Sequence, residues 1–314
     1  MKKFFSYICC VLLCAILFLS CEKRDLRTIT DRMGAEIKLP AKIERIITSA
    51  PSNTEIVVAL GLSDKLVAVD TYSADVQGVP PGVTKIDFMN PDGEAVISLN
   101  PDIIIANGHN QTGSGSDPFR LVDEAGIAVA YILMSDSIEG ICGDIGFVAD
   151  ALNVHEEGEK LIAAFKANIK NLQDKTAQIK PDERQSVYLE ISPPPSIVSM
   201  GYGTFLDEMI KIAGGINIFA DRYGIIFPSG ESIIERNPDV IITNMRSNGV
   251  FENEADAYKV SINEIKNREG FENIKAIKNG RVCYIDMNSS SRPTHNIVLA
   301  LNQIYNNIYG AALK

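Results

Sequence analysis

The chain has 314 residues, of which 46 % are apolar, and a formal net charge of −10. That length asks for two lobes with cores of their own, and the negative balance argues against a nucleic-acid partner. Of the six cysteines, Cys9, Cys10 and Cys14 fall in an opening apolar run and Cys21 directly after it; Cys142 and Cys283 are far apart, so neither a disulfide framework nor metal-ligand spacing is present, and these last two read as small buried apolar residues.

Lys2 and Lys3, an apolar run from Phe4 to Leu19, and Ser20 before Cys21 predict an export signal over residues 1–21. The run is shorter than the roughly 20 apolar residues of a spanning helix and meets charged Glu22, Lys23 and Arg24, so cleavage is expected. Phe18-Leu-Ser-Cys21 resembles a bacterial lipoprotein box, with phenylalanine where leucine is usual. The resemblance implies a lipidated Cys21 and a mature protein held on the outer side of a membrane, each buried acyl methylene contributing about 0.8 kcal/mol.

Residues 22–137 predict a first α/β lobe. Arg45 to Thr48 is a strand, Pro51 to Thr54 a capping turn, and Glu55 to Leu60 a helix that Gly61 ends. Glu94 to Asn107 then reads Glu-Ala-Val-Ile-Ser-Leu-Asn-Pro-Asp-Ile-Ile-Ile-Ala-Asn, and Glu231 to Asn244 repeats it with eight of fourteen positions identical and two Val/Ile exchanges. Two halves sharing one plan follow from that echo. In each copy a short helix starts near the glutamate and stops at Asn-Pro, because the residue before proline resists helical ψ; a strand follows. Ile103-Ile104-Ile105 and Val240-Ile241-Ile242 lack polar alternation, as expected of parallel strands covered on both faces.

Residues 138–180 predict linking helices, from Ser137 to Leu152 and from His155 to Ile179. In the second, Leu161, Ala164, Phe165, Ile169 and Leu172 make an apolar stripe, and a helix this long, about 35 Å, can serve as a spine for both lobes. Residues 181–314 repeat the plan: a strand from Val187 to Ile191, a break at Pro193-Pro194-Pro195, and a helix from Phe205 to Ala213 stopped by Gly214-Gly215. The fold class is α/β, with two lobes, each a mainly parallel sheet flanked by helices, joined by one long backbone helix.

Asp31 to Pro40, Arg45 to Leu62, the two Asn-Pro-Asp segments, Gly203 to Glu208, Ala213 to Ile218, Arg281 to Ile285 and Ser291-Arg-Pro293 resemble the substrate-binding proteins of iron-siderophore and cobalamin importers, the helical-backbone class III of periplasmic binding proteins. The match covers nearly all of the mature chain. It implies a ligand groove between the lobes, modest closure, and delivery to an ABC permease and its ATPase by a monomer. It also implies that Glu94 and Glu231 are exposed acids, one per lobe, that dock on arginines of the permease; such pairs mainly fix orientation and speed encounter.

Groove residues should come from loops after strands: Tyr72, Phe88, Asn110, Gln111, Tyr202, Tyr223, Phe227, Arg246 and Arg292. Aromatic faces suit a flat macrocycle or catechol rings, and guanidinium groups suit an anionic chelate. Phe88 matches a position that is aromatic in cobalamin-binding relatives. Gly108 to Asp117 reads as a polar lip without the lysine and spacing of a phosphate loop. Only His109, His155 and His295 exist, too few for a multi-histidine site for bare zinc or manganese. The expected ligand is a ferric siderophore, with a corrinoid or haem as alternative, and no cofactor or catalytic chemistry is expected. An enzyme or a surface adhesin on the same scaffold are the rival readings.

Overall fold

The computed structural model describes residues 25–108, 117–247 and 253–310. In the first lobe the order is β1 (Leu26–Thr30), β2 (Glu36–Pro40), β3 (Ile46–Thr48), α1 (Pro51–Ala59), β4 (Leu66–Asp70), β5 (Thr84–Ile86), α2 (Gly93–Ser98), β6 (Ile103–Asn107), α3 (Arg120–Glu124) and β7 (Ala128–Ile132). Next come α4 (Ile138–Ala151) and α5 (His155–Thr176). The second lobe contains β8 (Ser186–Glu190), β9 (Ser199–Met200), α6 (Phe205–Ile212), β10 (Ile216–Asn217), β11 (Ile225–Ile226), α7 (Gly230–Arg236), β12 (Val240–Thr243), α8 (Glu254–Lys266), α9 (Lys275–Lys278), β13 (Val282–Tyr284), α10 (Met287–Ser291) and α11 (Ile297–Tyr309).

Strand order is β5-β4-β3-β6-β7 in the first lobe and β10-β8-β12-β13 in the second, and every pairing within these two sheets is parallel. Successive side chains of a strand point to opposite faces, so each uninterrupted apolar run serves two cores. Ile103 and Ile105 join a central cluster with Val240 and Ile242, and the same cluster holds Phe165, Ile169 and Leu172 of α5. Ile104 instead packs outward with Phe119 and Val122, and Ile241 packs outward with Phe219 and Phe271. One continuous core thus runs through the long helix into both lobes, with a satellite core on the outside of each.

The 22 residues of α5 span about 33 Å. Its buried stripe is Phe165, Ile169, Leu172 and Thr176, while Ala164, expected in that stripe, is exposed. At Gly158 the helix crosses close to α4: a Cβ there would lie 2.4 Å from that of Ala149. Helix α1 starts at Pro51, four residues before the expected Glu55, since proline suits the first helical turn, where its missing N–H is no loss.

The repeated Asn-Pro-Asp has a sharper structural meaning than a proline stop. Asn100 and Asn237 have φ of 46° and 45°, the left-handed conformation that asparagine tolerates and that closes helices. Each aspartate then reaches the next strand: Asp102 accepts hydrogen bonds from the Glu44 and Arg45 amides at 2.8 and 3.0 Å, and Asp239 accepts one from the Ser186 amide at 2.9 Å. The β1-β2 hairpin is tied down by Asp31, which accepts from the Tyr131 amide at 3.0 Å, and by Arg32, which pairs with Asp144 at 2.7 Å. Among the described residues no helix is long and apolar enough to cross a membrane.

Candidate functional site

The carboxyl ends of β3, β4, β5, β6 and β7 open on one side of the first lobe, where parallel sheets place their ligands. Asp70 ends β4 fully buried. Its carboxylate accepts from the Ala50 amide at 3.0 Å, the Tyr72 amide at 2.8 Å and the Ser73 hydroxyl. Thr54 joins this network, 2.7 Å from Thr48 and 2.8 Å from Ser73 through the hydroxyls. These bonds fix the turn Thr71–Asp75 and hold Ala50 at a φ of 131°.

The Tyr72 ring projects from that turn, 65 % exposed, and meets Phe88 edge to face with centroids 5.9 Å apart. Beneath the pair lies a cavity of ≈ 390 Å³, lined also by Met89, Leu133, Met134 and, from the second lobe, Arg292. A size of roughly 300–1,000 Å³ with mostly apolar walls is usual for small-ligand sites. Both charged side chains in the wall already have partners. Asp144 is paired with Arg32 and accepts from Ser135; burial raises its pKa, against the pull of those two partners. Arg292 donates to Glu55 at 3.0 Å and to Asp75 at 2.8 Å. Burial works against its charge, yet the bonds to Asp75 and Glu55 win and hold its pKa above the ordinary value.

Of the residues expected to contact ligand, Tyr72, Phe88 and Arg292 meet at this cavity. Tyr202 and Tyr223 are bridged through their backbones and cross edge to face at 5.3 Å; this pair and Phe227, 71 % exposed, belong to the second lobe and lie outside the cavity wall. Gly203, with a φ of 77°, makes room for Tyr223, whose Cε2 would stand 2.5 Å from an added Cβ. Arg246 is exposed in the loop after β12. Asn110, Gln111, His109 and Cys21 lie outside the described residues. Met89, Leu133 and Met134 were missed by a search for aromatic and cationic groups, although all three sit just after strands or beside Phe88. Asp70 was missed too, and its signal was available: an aspartate at a strand end whose side chain bonds the amide two residues on.

His155 begins α5 exposed, 2.6 Å from Asp150 and 3.2 Å from Glu159. Among the described residues no group of His, Cys, Asp and Glu could hold a metal ion. Glu94 and Glu231 are both exposed and occupy the same place in the first turn of α2 and α7, behind the caps Asp92 and Ser229. The Glu231 amide and the Ser229 hydroxyl hold the Glu231 carboxyl below its usual range.

The profile of the periplasmic binding proteins matches residues 46–288, from the first central strand to the start of α10. The chain belongs to this family. Relatives of this periplasmic binding protein include an ABC transporter substrate-binding lipoprotein, YvrC, of Bacillus subtilis, 30 % identical over 91 % of this chain and 87 % of that one. A vitamin B12-binding protein of Yersinia pestis is 30 % identical over 66 % of this chain and 72 % of that one. Among solved structures, a possible iron-binding (periplasmic solute-binding) protein of Staphylococcus epidermidis superimposes with a TM-score of 0.74 at 30 % identity, covering 85 % of this chain and 99 % of that one. The two-lobe architecture with parallel sheets is that of these neighbours, and the chain is a substrate-binding protein of the ABC-transporter kind.

Proposed function

We propose that this protein is the lipid-anchored, extracytoplasmic receptor of an ABC importer and that it captures a metal chelate against Tyr72 and Phe88. The observation that carries the choice of ligand is the cavity wall: it is mainly apolar, with two aromatic rings and two thioethers among its groups, and its two charged side chains, Arg292 and Asp144, are already paired. A highly charged ferric catecholate would have to break the Arg292 pairs or leave its own charge uncompensated, and buried unpaired charge is costly. A chelate with an apolar face and little net charge needs neither.

That argument moves the preference from the ferric siderophore expected from the sequence to a corrinoid-like chelate, in line with the vitamin B12-binding relative. A siderophore of low net charge is the second reading, supported by the iron-binding neighbour. A thermal-shift panel of cyanocobalamin, haemin and neutral and anionic ferric siderophores tests both. A ligand at 100 times its Kd stabilises by about 2.7 kcal/mol, so a clear rise with cyanocobalamin is expected, and a panel without any shift sinks the proposal. Exposure of Glu94 and Glu231 at equivalent positions supports permease docking, and Ser20-Cys21 supports the anchor.

A further inference from the structure

A charged network joins the lobes beside the cavity. Glu55 of α1 accepts three bonds from the second lobe: Arg292 at 3.0 Å, the Thr294 hydroxyl at 2.7 Å and the Asn296 amide at 2.9 Å. Asp75 accepts two further bonds from Arg292, at 2.8 and 3.0 Å, and one from the Asn288 amide at 2.8 Å. The two legs differ in burial, with the Glu55 side chain 9 % exposed and that of Asp75 44 %. Breaking a buried, saturated pair is costly, whereas a partly exposed one contributes little. Glu55 is therefore the fixed leg and Asp75 the one that can let go.

Asp75 closes the same five-residue turn that carries Tyr72, and Asp70 grips that turn at the Tyr72 amide and the Ser73 hydroxyl. The turn is thus braced as one unit, bearing on the cavity wall through Tyr72 and on the partner lobe through Asp75. Arg292 lines both the ligand cavity and a second cavity of ≈ 330 Å³ at the lobe junction. That second space gives the guanidinium room to shift, and Ser289 and His295, which line it, each keep a buried polar atom without a hydrogen-bond partner that can take up a displaced bond.

We infer that the Thr71–Asp75 turn couples ligand contact at Tyr72 to the angle between the lobes, with Asp75–Arg292 as the releasable strut and Glu55–Arg292 as the pivot. Asp75 is a positioning residue in this scheme. The inference rests on the proposed function only in taking Tyr72 as a ligand contact.

Hydrogen exchange of the full chain tests it without a ligand first. Asp75→Asn should speed exchange of amides 287–294 by about threefold, the scale of one partly exposed ion pair, and leave β6 unchanged; Asn288→Ala, a gentler variant, should act in the same direction. Ser73→Ala, which removes the hydroxyl by which Asp70 grips the turn, should loosen the same amides across the lobe boundary. Wild-type exchange of 287–294 in Asp75→Asn overturns the strut, and wild-type exchange there in Ser73→Ala overturns the coupling. With cyanocobalamin bound, 287–294 should become protected in the wild type and much less so in Asp75→Asn; equal protection in both overturns the coupling as well. Should cyanocobalamin, haemin and ferric siderophores all fail to protect residues 71–75, the ligand reading falls, and the ligand-free comparison still decides the inference.

Discussion

Tyr72 is an exposed ring of the cavity wall, carried on a backbone that Asp70 fixes through the Tyr72 amide. Removing the ring by Tyr72→Ala, or its partner by Phe88→Ala, should weaken binding of the stabilising chelate by roughly 1–3 kcal/mol, the burial value of a large apolar side chain. Titration calorimetry reads that loss, and unchanged affinity in both variants would remove these rings from the site. His295 makes a second prediction. Burial lowers its pKa, only partly offset by Glu55, so the folded state holds it neutral where the unfolded chain would take a proton. Its contribution to stability is full above the ordinary histidine pKa and is lost as pH falls through the lowered one. Denaturant midpoints should therefore fall more steeply from pH 7 to pH 5 in the wild type than in His295→Gln; equal slopes would show that His295 is not the titrating group.

Single residues were legible where one side chain states its own chemistry. Tyr72 and Phe88 announce an aromatic wall in any loop after a strand, whereas Arg292 looks the same in sequence whether it waits for an anion or is spent on Glu55 and Asp75. Those partners lie more than two hundred residues away along the chain, so no local pattern reveals them.

At the scale of elements, periodicity carries the fold because the physics is local. Uninterrupted Ile103–Ile105 and Val240–Ile242 required cover on both faces, and each sheet has it. The stripe on α5 was right at Phe165, Ile169 and Leu172 and wrong at Ala164, which is exposed: the buried face is narrower than the apolar pattern. The Asn-Pro-Asp repeat signalled a break, but the left-handed asparagine and the aspartate that braces the adjacent strand are tertiary facts. The close approach of α4 and α5 at Gly158 yields its own test. Gly158→Ala would push a methyl to 2.4 Å from Ala149, and overpacking of this kind typically costs about 1–3 kcal/mol. Urea unfolding should show that loss; a variant as stable as the wild type would mean that α4 and α5 separate freely.

At the scale of the molecule, the duplicated halves put Glu94 and Glu231 at equivalent, exposed points, one on each lobe. Two matching acids suit a two-fold partner and chiefly govern encounter. Replacing both by glutamine should leave chelate affinity intact while association with the permease slows and loses its salt dependence; uptake and association at wild-type rates would leave these acids no role beyond complementing the dipoles of their helices. The repeat made this pair visible in sequence, since symmetry survives in the chain even where contacts do not.

The core that threads α5 has a bearing on how the protein fails. Phe165, Ile169 and Leu172 belong to the same apolar cluster as Ile103 of one lobe and Val240 of the other, so neither half can lose its packing while the other keeps its own. Heating should then give one melting transition rather than two, and a lesion in the lobe remote from the chelate would still shorten the life of the receptor as a whole.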